Sequence, residues 1–188
     1  MSKARLGREF YARNTVQVAK DLLGKTLVRK IGKNTMSGTI TETEAYRHLD
    51  DPASHAFRSM TERNRAMFGE VGHAYVYFTY GMYYCVNAVA RSKNFQAGAV
   101  LIRSLEPKDG IDAMIRNRKT DDVSNLTNGP AKITIALGIT KSHYGEDLVS
   151  SPHLYIADEG EVDGRISASS RVGIKRGTEK LWNFKIRA

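Results

Sequence analysis

Glu42, Glu44 and Tyr46 recur at every second residue of the run ETEAY, so an extended strand carries all three on one face. Two carboxylates and a phenol make a poor core but a usable chemical surface. Burial beside aromatic rings disfavours an ionised carboxylate, and hydrogen bonds or a nearby arginine restore it; a group so balanced can take a proton from water. Glu44 is the better candidate of the two, because Tyr46 lies beside it and His55 beyond it. The alternative for either glutamate is a solvent-exposed strand residue paired with an arginine. Further along, HAYVYFTYGMYYCVN (73–87) places five of the nine tyrosines, Tyr75, Tyr77, Tyr80, Tyr83 and Tyr84, within ten positions. A core draws its bulk from Leu, Ile and Val, since each buried phenol needs a partner; this density suits a surface offering ring faces and hydroxyls to a flat partner such as a nucleobase. Tyr75 and Tyr83 are expected to be packed or hydrogen-bonded, Cys85 to be a small buried hydrophobe, and Met67 to be packed.

The elements that must position these residues follow from periodicity and punctuation. Asn14 or Thr15 caps a helix whose Val18, Ala19, Leu22 and Leu23 share a face and which Gly24 ends. A strand over 25–30, a turn at 32–34 and a second strand near 36–45 form a hairpin that delivers the glutamates. Residues 50–55 read as a loop, and Thr61 as the cap of a short helix over 61–68 that leaves Arg63 and Arg65 to solvent. Strands are predicted at 75–79 and 83–90, interrupted at Gly81, and at 99–105, ended by Glu106 and Pro107. Asp109 is placed to cap a helix over 111–118, and Pro130 opens another that Gly138 closes. A short strand at 154–157 stands in the polar region 140–165, and 172–174 and 181–186 supply the last strands. With no repeat or linker, the expectation is one α+β domain: a curved, mainly antiparallel sheet with helices packed around it.

Composition narrows the setting. The net charge of +9 is uneven: residues 1–33 carry nine Lys/Arg against Glu9 and Asp21, and 165–188 carry seven against Glu179, so the middle is acidic. Two basic termini suggest a polyanion held at a rim, with Arg63 and Arg65 as further phosphate contacts and an affinity that falls with salt; a solubilising surface is the plainer alternative. One cysteine, Cys85, excludes an internal disulfide and a cysteine-rich zinc site and fits a reducing cytoplasm. No apolar run is long enough for a membrane helix. There is no G-x-G-x-x-G, P-loop or H-E-x-x-H run, and His48, Asp50, Asp51 and His55 lie in one turn-rich stretch, whereas metal ligands come from separate rigid elements, so neither metal nor cofactor is expected. No lysine lies between residues 34 and 92, which leaves the predicted site without an amine for a Schiff base unless Lys132 or the amino terminus reaches it.

These blocks together resemble the alkyladenine DNA glycosylases, the 3-methyladenine DNA glycosylases of vertebrate type with bacterial members. The resemblance rests on ETEAY (42–46), ASHA (53–56), TERNRAMF (61–68), YVYFTYGMYYCVN (75–87), LIRSLEP (101–107) and NGPAK (128–132), in that order. It implies a monofunctional N-glycosylase, without lyase activity, that flips and excises alkylated and deaminated purines from duplex DNA. Carried over, Glu44 matches the general base and Arg103 an arginine that helps hold the water and the nucleotide's phosphate. Tyr46, His55 and Tyr77 match the side chains around the flipped base, Asn87 the asparagine that narrows the pocket against guanine, and Tyr80 the wedge entering the duplex. A monomer acting on damaged double-stranded DNA follows, nucleoid-associated in the cytoplasm if the source is bacterial. Phe78, Thr79 and Tyr84 depart from the vertebrate pattern. The rivals are a damaged-DNA binding protein without catalysis and a hydrolase of free nucleosides.

Overall fold

The computed structural model describes residues 4–159 and 164–187. Its centre is an open nine-stranded sheet in which every described pairing is antiparallel. The strands are β1 (Ala4–Arg5), β2 (Thr26–Ile31), β3 (Asn34–Arg47), β4 (Ala74–Thr79), β5 (Tyr83–Val89), β6 (Gly98–Asp109), β7 (Leu154–Asp158), β8 (Arg165–Ser169) and β9 (Asn183–Arg187). They run in the order β1-β7-β2-β3-β6-β5-β4, with β9 joined to β3 and β8 to β9. The helices are α1 (Arg8–Tyr11), α2 (Thr15–Asp21), α3 (Arg65–Phe68), α4 (Ile111–Arg118) and α5 (Pro130–Leu137). The α+β expectation holds.

Alternation along the strands separates two faces. Ala74 and Val76 of β4, Val86 and Ala88 of β5 and Val100 and Ile102 of β6 point into the main core, where α2, α4 and α5 pack with Leu22, Met114 and Ile133. Tyr75, Val89 and Ala99 point the other way, into a smaller cluster with Met67, against which Tyr46 and Tyr77 pack. α2, α4 and α5 thus cover one face, and loops with the short α3 cover the face that carries Tyr46, Tyr75 and Tyr77. Asn14 anchors α2 by accepting from the Val16 and Gln17 amides, a cap worth about 0.5–2 kcal/mol. Thr43, on the core side of β3, donates to the Ala19 carbonyl at 2.7 Å and ties α2 to the strand whose other face bears Glu42 and Glu44.

β3 is long because it has two jobs. Its first half pairs with β2 through the turn at Gly32 and Lys33, and residues 42–44 pair instead with β9. Two register shifts against β6 fall between Ile40 and Thr43, at the change of partner, and another lies between Ser37 and Gly38. Such irregularities re-aim side chains beside functional sites.

Several expectations fail for local reasons. β6 does not stop at Pro107: it continues to Asp109, because β5 pairs only with residues 99–101 and the later part of β6 is an edge, where a missing N–H costs nothing. Asp109 does not cap α4; it accepts from the Ser37 hydroxyl at 2.6 Å, and Gly110 at φ 72° turns the chain. Only Arg65–Phe68 of the 61–68 segment is helical, because Thr61 and Asn64 bond each other's backbone amides and hold a turn. Residues 172–174 form a turn rather than a strand, while β1 and α1 were too short to carry a periodic signal and β8, exposed along most of its length, has no buried apolar face to betray it. Among the described residues no helix is long and apolar enough to cross a membrane.

Candidate active site

A cavity of about 400 Å³ opens on the loop-covered face. β4 contributes Tyr75 and Tyr77 to its wall, β5 contributes Asn87, β3 contributes Tyr46, the loop after β3 contributes His55, and a C-terminal turn contributes Val172–Arg176. Tyr75 and Asn87 are cross-strand partners, and the Asn87 amide donates to the Tyr75 carbonyl at 2.8 Å, so it is pinned in the wall. The His55 and Tyr77 rings meet edge-on with centroids 4.7 Å apart. His55 Nδ1 lies 2.9 Å from the Tyr75 hydroxyl. Burial raises the Tyr75 phenol's pKa, and burial followed by Arg63 lowers that of His55. A protonated phenol donating to a neutral imidazole satisfies both and leaves Nε2–H as a donor. Tyr75, Cys85 and Met67 are buried, as the sequence suggests.

Glu44 stands behind this wall rather than in it. It is completely buried, which excludes the exposed alternative, and it is not among the residues that line the cavity. Tyr46, itself in the wall, donates its hydroxyl to Glu44 Oε2 at 2.7 Å. The other oxygen, Oε1, accepts from the Val172 amide at 2.7 Å and Asn183 Nδ2 at 3.1 Å, and lies 3.5 Å from Arg103 Nε. Arg103 also donates to Glu42 Oε1 at 2.9 Å, and Asn183 reaches the same atom at 2.8 Å. Every polar neighbour of Glu44 is thus a donor or a cation, a setting built for an anion. Burial opposes the charge on Arg103, but Glu44 and then Glu42 outweigh it and raise its pKa. The Tyr46 phenol is raised too, by burial first and then by Glu44, so it remains a donor.

Two contributors escaped the sequence. Asn183 is the β9 residue paired with Glu44, and only knowledge of that pairing identifies it. Arg171 read as part of a basic tail, yet it is buried, donates to both oxygens of buried Asp51 at 2.6 Å, and donates to the Ala45 carbonyl at 2.9 Å. Its guanidinium lies 4.6 Å from the centroid of the Tyr46 ring. Asp51 and Asp50 are committed to arginines, the second to Arg47.

At the cavity rim, Tyr80 to Met82 join β4 to β5. Tyr80 has φ 52° and Gly81 φ 68°. The left-handed region costs a bulky residue on the order of 1–2 kcal/mol, and here it turns a ring that is 88% exposed away from the sheet. Arg63 lines the same cavity and donates to the Phe78 carbonyl at 3.1 Å, whereas Arg65 is exposed outside the wall. The two basic termini part company. Lys175 and Arg176 reach the cavity, while no described residue before Ile31 does, and Arg8, Arg13 and Lys25 bond Asp147, Asp21 and Asp158. Lys175 therefore corrects the expectation of a site without an amine; the amino terminus lies outside the described residues.

The chain that builds this cavity matches a known family along nearly its whole length. The family model for methylpurine-DNA glycosylase matches residues 9–188, and the chain belongs to that family. A relative from Clostridium perfringens strain SM101, named "Putative 3-methyladenine DNA glycosylase", is 43% identical, covering 97% of this chain and 96% of its own. Proteins of the same name from Carboxydothermus hydrogenoformans and Methanocella arvoryzae are 46% and 44% identical, covering 97% and 95% of this chain and 95% and 90% of theirs.

Proposed function

We propose that this chain is a monofunctional DNA glycosylase of base excision repair: it flips an alkylated or deaminated purine out of duplex DNA and hydrolyses its N-glycosidic bond, leaving an abasic site. The observation that carries the reading is the 2.7 Å bond from the wall residue Tyr46 to Glu44 Oε2, which sets a buried carboxylate immediately behind a cavity of a size for one base. Family membership and the names of the relatives point the same way.

In this reading the purine enters between Tyr46, Tyr77 and His55, and its departure with the bonding electrons leaves oxocarbenium-like charge on the sugar. Glu44 stabilises that charge and takes a proton as water adds to the sugar carbon. Because Glu44 is sealed beneath Tyr46 and Val172, the water reaches it only when bound DNA displaces part of that cover. Arg103 fixes the carboxylate and meets the water and phosphate. Lys175 is exposed, and in this reading it does not act as a nucleophile, so no Schiff base forms. The enzyme acts as a monomer, with Arg63 and Arg65 among its phosphate contacts. Incubation with duplex carrying 3-methyladenine, 7-methylguanine or hypoxanthine is expected to release free base and leave an intact abasic site. Binding without release would favour the non-catalytic lesion binder, and a strand break or a borohydride-trapped adduct would refute the monofunctional assignment.

Two variants test the pocket. Tyr80→Ala is expected to slow excision from paired duplex by about tenfold or more, because extrusion costs a few kcal/mol that the wedge offsets, while bulk DNA affinity changes little. An unchanged excision rate counts against the wedge. Asn87→Ser is expected to raise release of normal guanine by about tenfold, the discrimination a modest steric change supports. No change removes the selectivity role.

A further inference from the structure

Two of the tyrosines that wall the cavity, Tyr46 and Tyr77, already carry a guanidinium against the ring. Arg171 lies 4.6 Å from the Tyr46 centroid and Arg63 5.3 Å from the Tyr77 centroid. The two cations differ in compensation. Arg171 is neutralised by Asp51 through two 2.6 Å bonds, whereas Arg63 has no carboxylate within 4.0 Å among the described residues and is held by the neutral Phe78 carbonyl. The positive charge on the cavity wall beside Tyr77 is therefore uncancelled.

We infer that Arg63 is a charge filter for the excised base, disfavouring purines that carry positive charge and assisting the departure of neutral ones. This rests on the base-excision reading above. A tyrosine face engaged by one cation has less of its negative quadrupole to offer another, and the guanidinium repels a cationic purine directly. The chemistry adds to the discrimination. When a neutral purine leaves, both electrons of the broken N-glycosidic bond remain on the base, and a nearby cation stabilises the charge that develops. A cationic purine leaves as a neutral base and gains nothing from it. Arg63 is exposed, so solvent screening holds the expected effect to about tenfold.

The test is the ratio of single-turnover release rates, at subsaturating enzyme, from duplexes carrying 7-methylguanine, which is cationic, and hypoxanthine, which is neutral. Arg63→Gln is expected to shift that ratio about tenfold toward 7-methylguanine, and Arg63→Lys, which keeps the charge, to leave it near wild type. Arg65→Gln, outside the cavity wall, is expected to lower both rates together. A parallel fall of both rates in Arg63→Gln, with the ratio unchanged, would assign Arg63 to phosphate contact alone and overturn the filter. Relative affinities of the two duplexes for Glu44→Gln, with and without Arg63→Gln, keep the question separate from catalysis. If the wild type releases neither base, the excision reading fails, and an affinity ratio that still moves toward 7-methylguanine supports the filter while an unmoved one overturns it.

Discussion

Replacing Glu44 with glutamine is expected to slow base release by about 10²–10⁴-fold, the range associated with a positioned general base, while leaving the fold and duplex affinity close to wild type. The substitution is informative because the site can accommodate it. Glutamine's carbonyl oxygen can take the place of Oε1 and accept from Val172 and Asn183, and its amide can donate to the Tyr46 oxygen, which accepts as well as donates. Each of these heavy atoms keeps a partner, and only the Tyr46 proton must turn to another acceptor in the cavity, so lost activity reports chiefly the missing negative charge. The neighbouring carboxylate supplies the comparison: Glu42→Gln keeps an acceptor for Arg103 and Asn183 but touches no wall residue's hydroxyl, and is expected to cost far less. Single-turnover release measured alongside melting temperature checks both. Equal losses at the two positions would deny Glu44 its separate role.

The second large effect is structural. Asp51→Ala leaves the Arg171 guanidinium buried without its counter-charge, a change that costs about 3–5 kcal/mol. For a chain of this length each kcal/mol lowers the melting temperature by about 2–4 °C, so a fall on the order of 6–20 °C is expected in thermal denaturation. Asp50, one residue earlier, is the control. Its ion pair with Arg47 leaves the Asp50 side chain 39% exposed, and Asp50→Ala is expected to cost no more than about 1 kcal/mol. A melting temperature for Asp51→Ala within a degree or two of wild type would show that Arg171 finds other compensation. The pair also backs the site, since Arg171 lies on the Tyr46 ring and immediately precedes Val172, whose amide holds Glu44.

Some of this was legible in the chain and some was not, for physical reasons. Period-two spacing put Glu42, Glu44 and Tyr46 on one face, and the shared contacts of Arg103 and Asn183 show that the irregular register of β3 does not separate them. The tyrosine stretch divided by the same alternation, Tyr75 and Tyr77 toward the cavity and Val76 toward the core. What failed was long-range. Nothing local marks Asn183 as the partner of Glu44, Arg171 as a buried cation or Lys175 as a cavity residue, because β9 reaches β3 only through the completed sheet. Periodicity likewise left the burial of Glu44 undecided, since it gives a face but not what covers it. The cover is the turn at Val172, in a segment whose composition reads as strand.

In the proposed mechanism the cavity holds one extruded purine while Tyr80 occupies its place in the stack. The most direct measurement is a crystal structure of the Glu44→Gln variant bound to duplex DNA containing 7-methylguanine. The expected result is the purine ring between Tyr46 and Tyr77 with the Tyr80 ring inserted between the neighbouring base pairs. A lesion still stacked in the duplex, with the cavity empty and Tyr80 outside the groove, would contradict that mechanism.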